Sequence, residues 1–249
     1  MQSDPGNQEY NLLMSTAYFL FLGRLRDFLP HNQREQFNRV DFRGRQSIKH
    51  LAESLGVPHP EMGQVQINGQ EGTLNTITRD GDQVQVYPIP DGYPAEPRFL
   101  LDNHLGRLAA YLRMLGFDCL YRNDYRDEEL AEILQQEERI LLSRDRRLLM
   151  RKVVTHGYCP RSLDSLQQLS EVVRRFDLIK RVVPFHRCLR CNHPLETIPK
   201  EAVLERLEPL TKLYFDEFMI CPNCKQVYWK GSHFERMQGI VEKLSEASS

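Results

Sequence analysis

The pattern that most restricts this chain is a repeated pair of cysteines, "CLRC" at 188–191 and "CPNC" at 221–224, with 29 residues between the pairs. Two cysteines separated by two residues curl around one ion, and two such knuckles complete a tetrahedral site. Cys188, Cys191, Cys221 and Cys224 are therefore expected to hold zinc. Four thiolates leave no position for a substrate or a water, so the zinc reads as structural, holding a small module that lacks a large core. His193 and His233 lie near the knuckles and could substitute as ligands, although four cysteines suffice. Neither pair begins a helix in a thioredoxin-like context, which disfavours redox work. Cys119 and Cys159 read as buried thiols. Metal-type spacing in place of disulfides points to a reducing compartment, and a cytoplasmic protein is expected.

The 249 residues carry a formal net charge of -1, which excludes a generally basic nucleic-acid binder but leaves room for local patches. No run approaches the roughly 18 apolar residues needed to span a bilayer, so no membrane association is expected. The apolar stretch around Tyr18 to Leu22 is too short, and what precedes it too polar, for a signal peptide.

Three segments follow from the patterning. In the first, 12–92, "STAYFLFLGRL" at 15–25 reads as a strand and "SIKHLAESL" at 47–55 as a short amphipathic helix. "VQING" at 65–69 and "DGDQVQVYPI" at 80–89 read as further strands, with Asp80 and Gly81 supplying a turn. This is a small α+β domain. Pro88, Pro90, Pro94 and Pro97 then mark a linker. The second segment, 98–183, alternates strand and helix. "RFLLDNHLGRLAAYLRMLGFD" runs from a short apolar strand into a helix that Gly116 stops; "FDCLYRND", "DEELAEILQQEE", "RILLSRD", "KVVTHGY" and "SLDSLQQLSEVVRRF" continue the pattern. Such alternation predicts an α/β fold, a parallel sheet with helices on both faces. The third segment, 184–240, carries the cysteines, with a helix and irregular chain between the knuckles.

Within the second segment, Asp102 and Asp145 each follow an apolar strand, which puts two acids at the same carboxyl edge of one sheet, where open α/β sheets bind ligands. Asp124 and Asp127 stand before or at the start of the intervening helix. Converging carboxylates repel one another, and a hard divalent cation, Mg²⁺ or Mn²⁺, relieves this while bridging to substrate phosphate. One or two such ions support in-line hydrolysis of a phosphodiester. Each acid also has a plainer role: Asp102 or Asn103 as a helix cap, Asp124 and Asp127 as cap and first-turn acid, Asp145 as a partner of Arg144 and Arg146. Arg107 and Arg113 on the first helix, with Arg144, Arg146, Arg147 and Arg151 beside Asp145, supply the positive charge that holding a phosphate backbone needs, although solvated surface charge explains any one of them. "VYWKGSHFERM" after the last cysteine mixes aromatic and basic residues. That combination stacks on bases, although Tyr228 and Trp229 could equally pack the ribbon against the preceding domain.

Two resemblances sharpen these expectations. "INGQ" and "DGDQVQVYP" resemble β-grasp, ubiquitin-like domains related to small sulfur carriers. The chain runs on past the place where such carriers end in Gly-Gly, which implies an interaction role and a protein partner rather than carrier chemistry. "LLDNHLGRLAAYLRMLGFD", "YRDEELAEIL", "RILLSRDRRLL", "CLRCN" and "CPNCKQVYWKGSHF" resemble the Mut7-C group, a PIN-like ribonuclease domain followed by a zinc ribbon and often preceded by a ubiquitin-like domain. The resemblance implies a Mg²⁺- or Mn²⁺-dependent ribonuclease with Asp102, Asp127 and Asp145 as metal-binding catalytic acids, Ser143 in a hydroxyl position, and RNA held partly by the ribbon. PIN nucleases commonly carry another acid in a helix between the first two; here only Asp118 and Asp124 stand in that interval. A non-catalytic RNA-binding or adaptor protein that keeps the fold is the alternative.

Overall fold

Alternation with period two over Ala17, Phe19 and Phe21 buries one face of the first strand, β1 (Ser15–Phe21). The structure, a computed structural model, describes residues 14–93, 96–184, 186–231, 234–235, 238–240 and 242; residues 12 and 13, Pro94 and His233 lie outside them. Backbone contacts divide the chain into two units, Met1–Pro90 and Asp91–Ser249.

In the first unit β1 is followed by β2 (Asn38–Phe42), α1 (Ile48–Ser54), β3 (Met62–Ile67), β4 (Gln70–Gly72) and β5 (Gln83–Pro88). The sheet order is β2-β1-β5-β3-β4, with β1 and β5 parallel at its centre and the other pairings antiparallel. Ser47 caps α1 by accepting from the His50 N–H at 3.2 Å, and Ile48, Leu51 and Ala52 are buried on the helix. Asn68 and Gly69, at φ 52° and 79°, turn β3 back into β4, as a tight hairpin with two left-handed residues requires. The expected strand over 15–25 stops at Phe21, because Gly23 takes φ 53° and a 3₁₀ turn follows over Gly23–Phe28. In β2 the alternation is short, Val40 and Phe42 inward against exposed Arg39 and Asp41, and the strand begins on a polar residue. Its Asn38 is buried because its amide donates to the carbonyls of Phe19, Gln33 and Gln36 at 3.0–3.2 Å.

The second unit begins with β6 (Arg98–Leu101), α2 (Gly106–Met114), β7 (Asp118–Leu120), α3 (Asp127–Gln136), β8 (Ile140–Leu142), α4 (Arg146–Leu149), β9 (Gly157–Tyr158) and α5 (Ser165–Arg175). The strands form one parallel sheet in the order β7-β6-β8-β9. Leu105, Leu108, Leu112 and Leu115 pack with Leu169, Val172, Val173 and Phe176. Phe99 meets the Phe117 and Phe176 rings edge-on at 6.1 and 5.7 Å. Within the expected strand "KVVTHGY" only Gly157 and Tyr158 pair with the sheet. The chain then builds a three-stranded antiparallel sheet from β10 (Glu196–Ile198), β11 (Phe218–Ile220) and β12 (Val227–Trp229), with α6 (Pro209–Tyr214) and two 3₁₀ turns filling the interval between the knuckles. Among the described residues no helix is long and apolar enough to cross a membrane.

Gly116 ends α2 at φ 97°, and a Cβ there would stand 2.2 Å from the Val183 carbonyl oxygen, whose residue donates its N–H to Leu115 O at 3.0 Å. Backbone conformation and space both demand glycine. Gly116→Ala is expected to lower stability by about 2 kcal/mol or more, read as a shifted urea midpoint with unchanged slope.

Candidate functional site

In the order β7-β6-β8-β9 the chain moves to one side of β6 for its second strand and to the other side for its third. The switch point, where the loops diverge and leave a crevice, thus lies between the carboxyl ends of β6 and β8. Asp102 leaves β6 there and Ser143 leaves β8. Asp102 is 4% exposed and Ser143 is fully buried. The Ser143 hydroxyl donates to Asp102 Oδ2, and its oxygen accepts from the Asp145 N–H at 2.9 Å. Asp102 Oδ1 accepts from the His104 N–H at 2.9 Å. Capping does not explain Asp102, since α2 starts from Leu105 without a side-chain cap. One hydroxyl therefore links the acid of the first strand to the backbone of the second acid.

The other acids are held differently. Asp145 is exposed and caps α4, its Oδ1 accepting from the N–H groups of Arg147 and Leu148 at 2.8 and 3.3 Å. Asp127 opens α3 and pairs with Arg151 at 3.1 Å, while Arg151 also donates to the Asp127 carbonyl at 3.2 Å. Asp124 pairs in the open with Arg122, whose bonds hold its carboxyl below the usual range. Asp118 is excluded from this edge: it begins β7, level with Arg98, at the opposite end of the sheet from Asp102. Among the described residues the three acids do not converge as one ligand set; only the four cysteines do. The donor chemistry still fits Mg²⁺ or Mn²⁺, because such an ion keeps several waters and needs only one or two carboxylates.

Arg107, Arg144, Arg146 and Arg147 are exposed beside the helix starts that follow β6 and β8. Arg113 corrects the sequence expectation. Placed on a polar helix face for RNA, it is 4% exposed, and its guanidinium donates to the carbonyls of Cys119, Leu189 and Arg190 at 2.9–3.1 Å. It is internal and cannot reach RNA. Arg151, expected in the basic cluster beside Asp145, is engaged by Asp127 instead, and sequence reasoning missed Tyr121, whose hydroxyl donates to the Asn103 carbonyl at 3.2 Å beside Asp102. Tyr121 belongs to no spaced motif.

The cysteines form a second centre. Their ligand atoms all lie within 4.8 Å of one another, with Cys188 to Cys224 at 3.5 Å and Cys191 to Cys221 at 3.3 Å. A tetrahedron with Zn–S near 2.3 Å has edges of about 3.8 Å, so the cluster is compatible with structural zinc. Burial pushes the Cys191 thiol up, but the His193 backbone N–H and its sulfur and amide neighbours outweigh it and hold it at about 6. The Tyr228 hydroxyl lies 3.1 Å from Cys188 Sγ. His193 Nδ1 turns to the Pro194 carbonyl instead.

This centre is fastened to the parallel sheet. Asn192, left-handed at φ 69° just after the first knuckle, accepts the Cys119 N–H at 2.9 Å and donates to Asp118 Oδ1 at 2.9 Å. An asparagine following a knuckle is the residue type suited to such a turn, the one signal that could have found it. Asp118 also pairs with buried Arg139 at 2.8 Å and with Arg187 at 3.7 Å. Burial alone would raise the Asp118 pKa; bonds from Arg139 and Asn192 and the charges of Arg139 and Arg187 outweigh it and hold the carboxyl below 3.8. Burial pushes the Cys119 thiol up to about 12, so it stays neutral.

A parallel α/β sheet with a buried carboxylate at its switch point falls among proteins that bind ligands outside their strand ends, and comparison with known families narrows the class. The Mut7-C RNAse domain model matches residues 97–241 and the Mut7-C ubiquitin model matches residues 14–92. The first match covers more than half of the sequence, and the chain belongs to the Mut7-C RNAse domain family, which supports a nuclease-like function in general. Among curated proteins no match is found. The crystal structure of SAMP1 from Haloferax volcanii is similar over 32% of this chain and 100% of its own, at 17% identity and a TM-score of 0.26.

Two outcomes are expected at the joint. Asp118→Asn costs about 2 kcal/mol near neutral pH. Because the folded pKa is depressed, that contribution is fully present above 3.8 and is lost as pH falls through the folded value, so the difference in urea midpoint between wild type and variant shrinks on acidification. Removing zinc with a chelator lowers hydrogen-exchange protection at Cys119 as well as in the ribbon, since the Asn192 side chain beside the first knuckle accepts the Cys119 N–H.

Proposed function

We propose that the chain is a metal-dependent ribonuclease that hydrolyses RNA phosphodiester bonds at the edge carrying Asp102. The supporting observation is the buried Asp102 carboxylate, oriented by Ser143 at the switch point of a chain that belongs to an RNAse-domain family. Asp102 and Asp145 would hold Mg²⁺ or Mn²⁺, and Asp127 would join them on giving up Arg151. A bound ion of this kind supplies hydroxide at neutral pH and neutralises charge on the phosphoryl oxygens. Ser143 fixes one carboxylate oxygen and the His104 N–H the other, so Asp102 enters the reaction already oriented. Arg107, Arg144, Arg146 and Arg147 hold the RNA backbone by charge, which makes binding salt-dependent. The ubiquitin-like unit serves as a protein-docking module. Its last strand, β5, ends at Pro88 and the chain runs on, so no terminal carboxylate is offered for activation there. Six cysteines without a disulfide suit a reducing cytoplasm.

A second reading, an RNA-binding adaptor without turnover, has one observation in its favour: Asp127 and Asp145 are both occupied by protein donors. End-labelled RNAs incubated with the zinc-loaded chain in Mg²⁺ or Mn²⁺ separate the two. The ribonuclease predicts cleavage that needs the added metal and falls by about a hundredfold or more in Asp102→Asn. Wild type and variant equally inert, yet binding RNA alike, would establish the adaptor.

A further inference from the structure

Register divides the ribbon sheet into two faces. Thr197, Met219 and Tyr228 lie opposite one another in one row, and Ile198, Phe218 and Trp229 in the next. The first row faces the cysteines, where Met219 and Tyr228 pack. Ile198 and Phe218 of the second row join a small core with Val203, Leu207 and Val227. At the end where β10 and β12 finish and β11 begins, these rows open into a cavity of about 510 Å³, with Trp229 and Phe218 in its wall and Asp216, Glu217 and Lys230 at its rim.

Trp229 is 36% exposed, much for a tryptophan in a folded module. Its ring leans on Phe218 at 6.4 Å, and Gly231 passes so near that a Cβ there would stand 2.8 Å from Nε1. The indole is thus held in place with part of its surface presented to solvent, which is what base stacking uses. The rim chemistry selects among bases. Lys230 takes Glu217 Oε2 at 2.6 Å and Lys200 takes Asp216 Oδ1 at 2.7 Å, while the two carboxylate side chains remain 78% and 86% exposed. Each rim carboxylate is matched by a lysine, so the rim holds no excess positive charge to draw in a phosphate, and the cavity suits the base of a nucleotide rather than its anion. An ionised carboxylate only accepts hydrogen bonds. Uracil offers a lone N–H between carbonyls, and the amino groups of adenine and cytosine stand beside an acceptor nitrogen. Guanine alone places two donor positions, N1–H and N2–H, side by side.

We propose that this cavity is a base-binding subsite of the RNA path, taking a guanine stacked on Trp229 with Glu217 or Asp216 accepting from its N1–H and N2–H edge. The inference rests on RNA being the substrate and assigns that substrate a base preference. Asp216 and Glu217 stand at the surface, so their replacement leaves the ribbon core alone.

Trp229 is the only tryptophan in the chain, so intrinsic fluorescence reports on this cavity directly. The full zinc-loaded chain is titrated, without added Mg²⁺ or Mn²⁺, with each of the four ribonucleoside monophosphates. Saturable quenching by guanosine monophosphate is expected at concentrations about tenfold or more below those needed for the other three, and the preference disappears in the Asp216→Asn, Glu217→Gln double variant. Quenching that is absent, equal for all four, or unaltered in the double variant overturns the proposal. Cleavage of single-guanine oligonucleotides, run alongside with metal, keeps the two readings apart. Metal-dependent cleavage without guanine-selective quenching removes the subsite and retains the ribonuclease. Selective quenching without any cleavage retains the subsite and removes the ribonuclease.

Discussion

The hydrogen bonds between Asn192 and the edge strand of the parallel sheet decide how the second unit holds together. A three-residue strand at the edge of a sheet has backbone groups facing outward that the sheet itself cannot satisfy. Here the Cys119 N–H goes to Asn192, and Arg113 collects the Cys119 carbonyl together with two carbonyls of the first knuckle. A buried guanidinium cannot be left without acceptors at acceptable cost. The knuckle is therefore part of the sheet's polar closure, and the module that carries it completes the domain it follows.

The opposite end of the same sheet is built on economy. Ser143 uses one oxygen to donate to Asp102 and to accept from Asp145, so the two strands flanking the switch point are coupled at the level of single side-chain atoms. Basic residues gather on the helix starts above that end, while the acid at the lower end, Asp118, is neutralised by two arginines. Charge is thus sorted along the strand direction: cations stand open to solvent at the end that carries Asp102 and are internally paired where the ribbon is fastened.

How much of this could be read from the residues alone depended on whether the controlling interaction was local. The knuckles, the Gly116 stop and the strand-end positions of Asp102 and Asp145 are set by spacing within a few residues, and each was legible. The strand β2 was not, because its alternation is only Val40 and Phe42 long and its first inward position is Asn38, buried through three carbonyl bonds. Arg113 was misplaced for a related reason. Helical periodicity puts it on the polar face of α2, and nothing nearby in sequence reveals that carbonyls 76 and 77 residues on will cover that face. Asp118 looked like a spare site acid because strand direction, not composition, decides which end of a sheet a residue occupies. The pairing of Asp127 with Arg151 was likewise hidden, being a contact between the first residue of α3 and the turn that follows α4.

The distance along the chain between Cys119 and Asn192 has a consequence for synthesis. Their bond spans 73 positions, so on a ribosome the edge strand emerges roughly 4 to 15 s before the side chain that closes it. During that interval β7 is an open template for pairing with other chains. Its brevity, three residues beginning with a charge, limits what can be templated. The nascent sheet is protected by having little edge to offer until the first knuckle arrives to cover it.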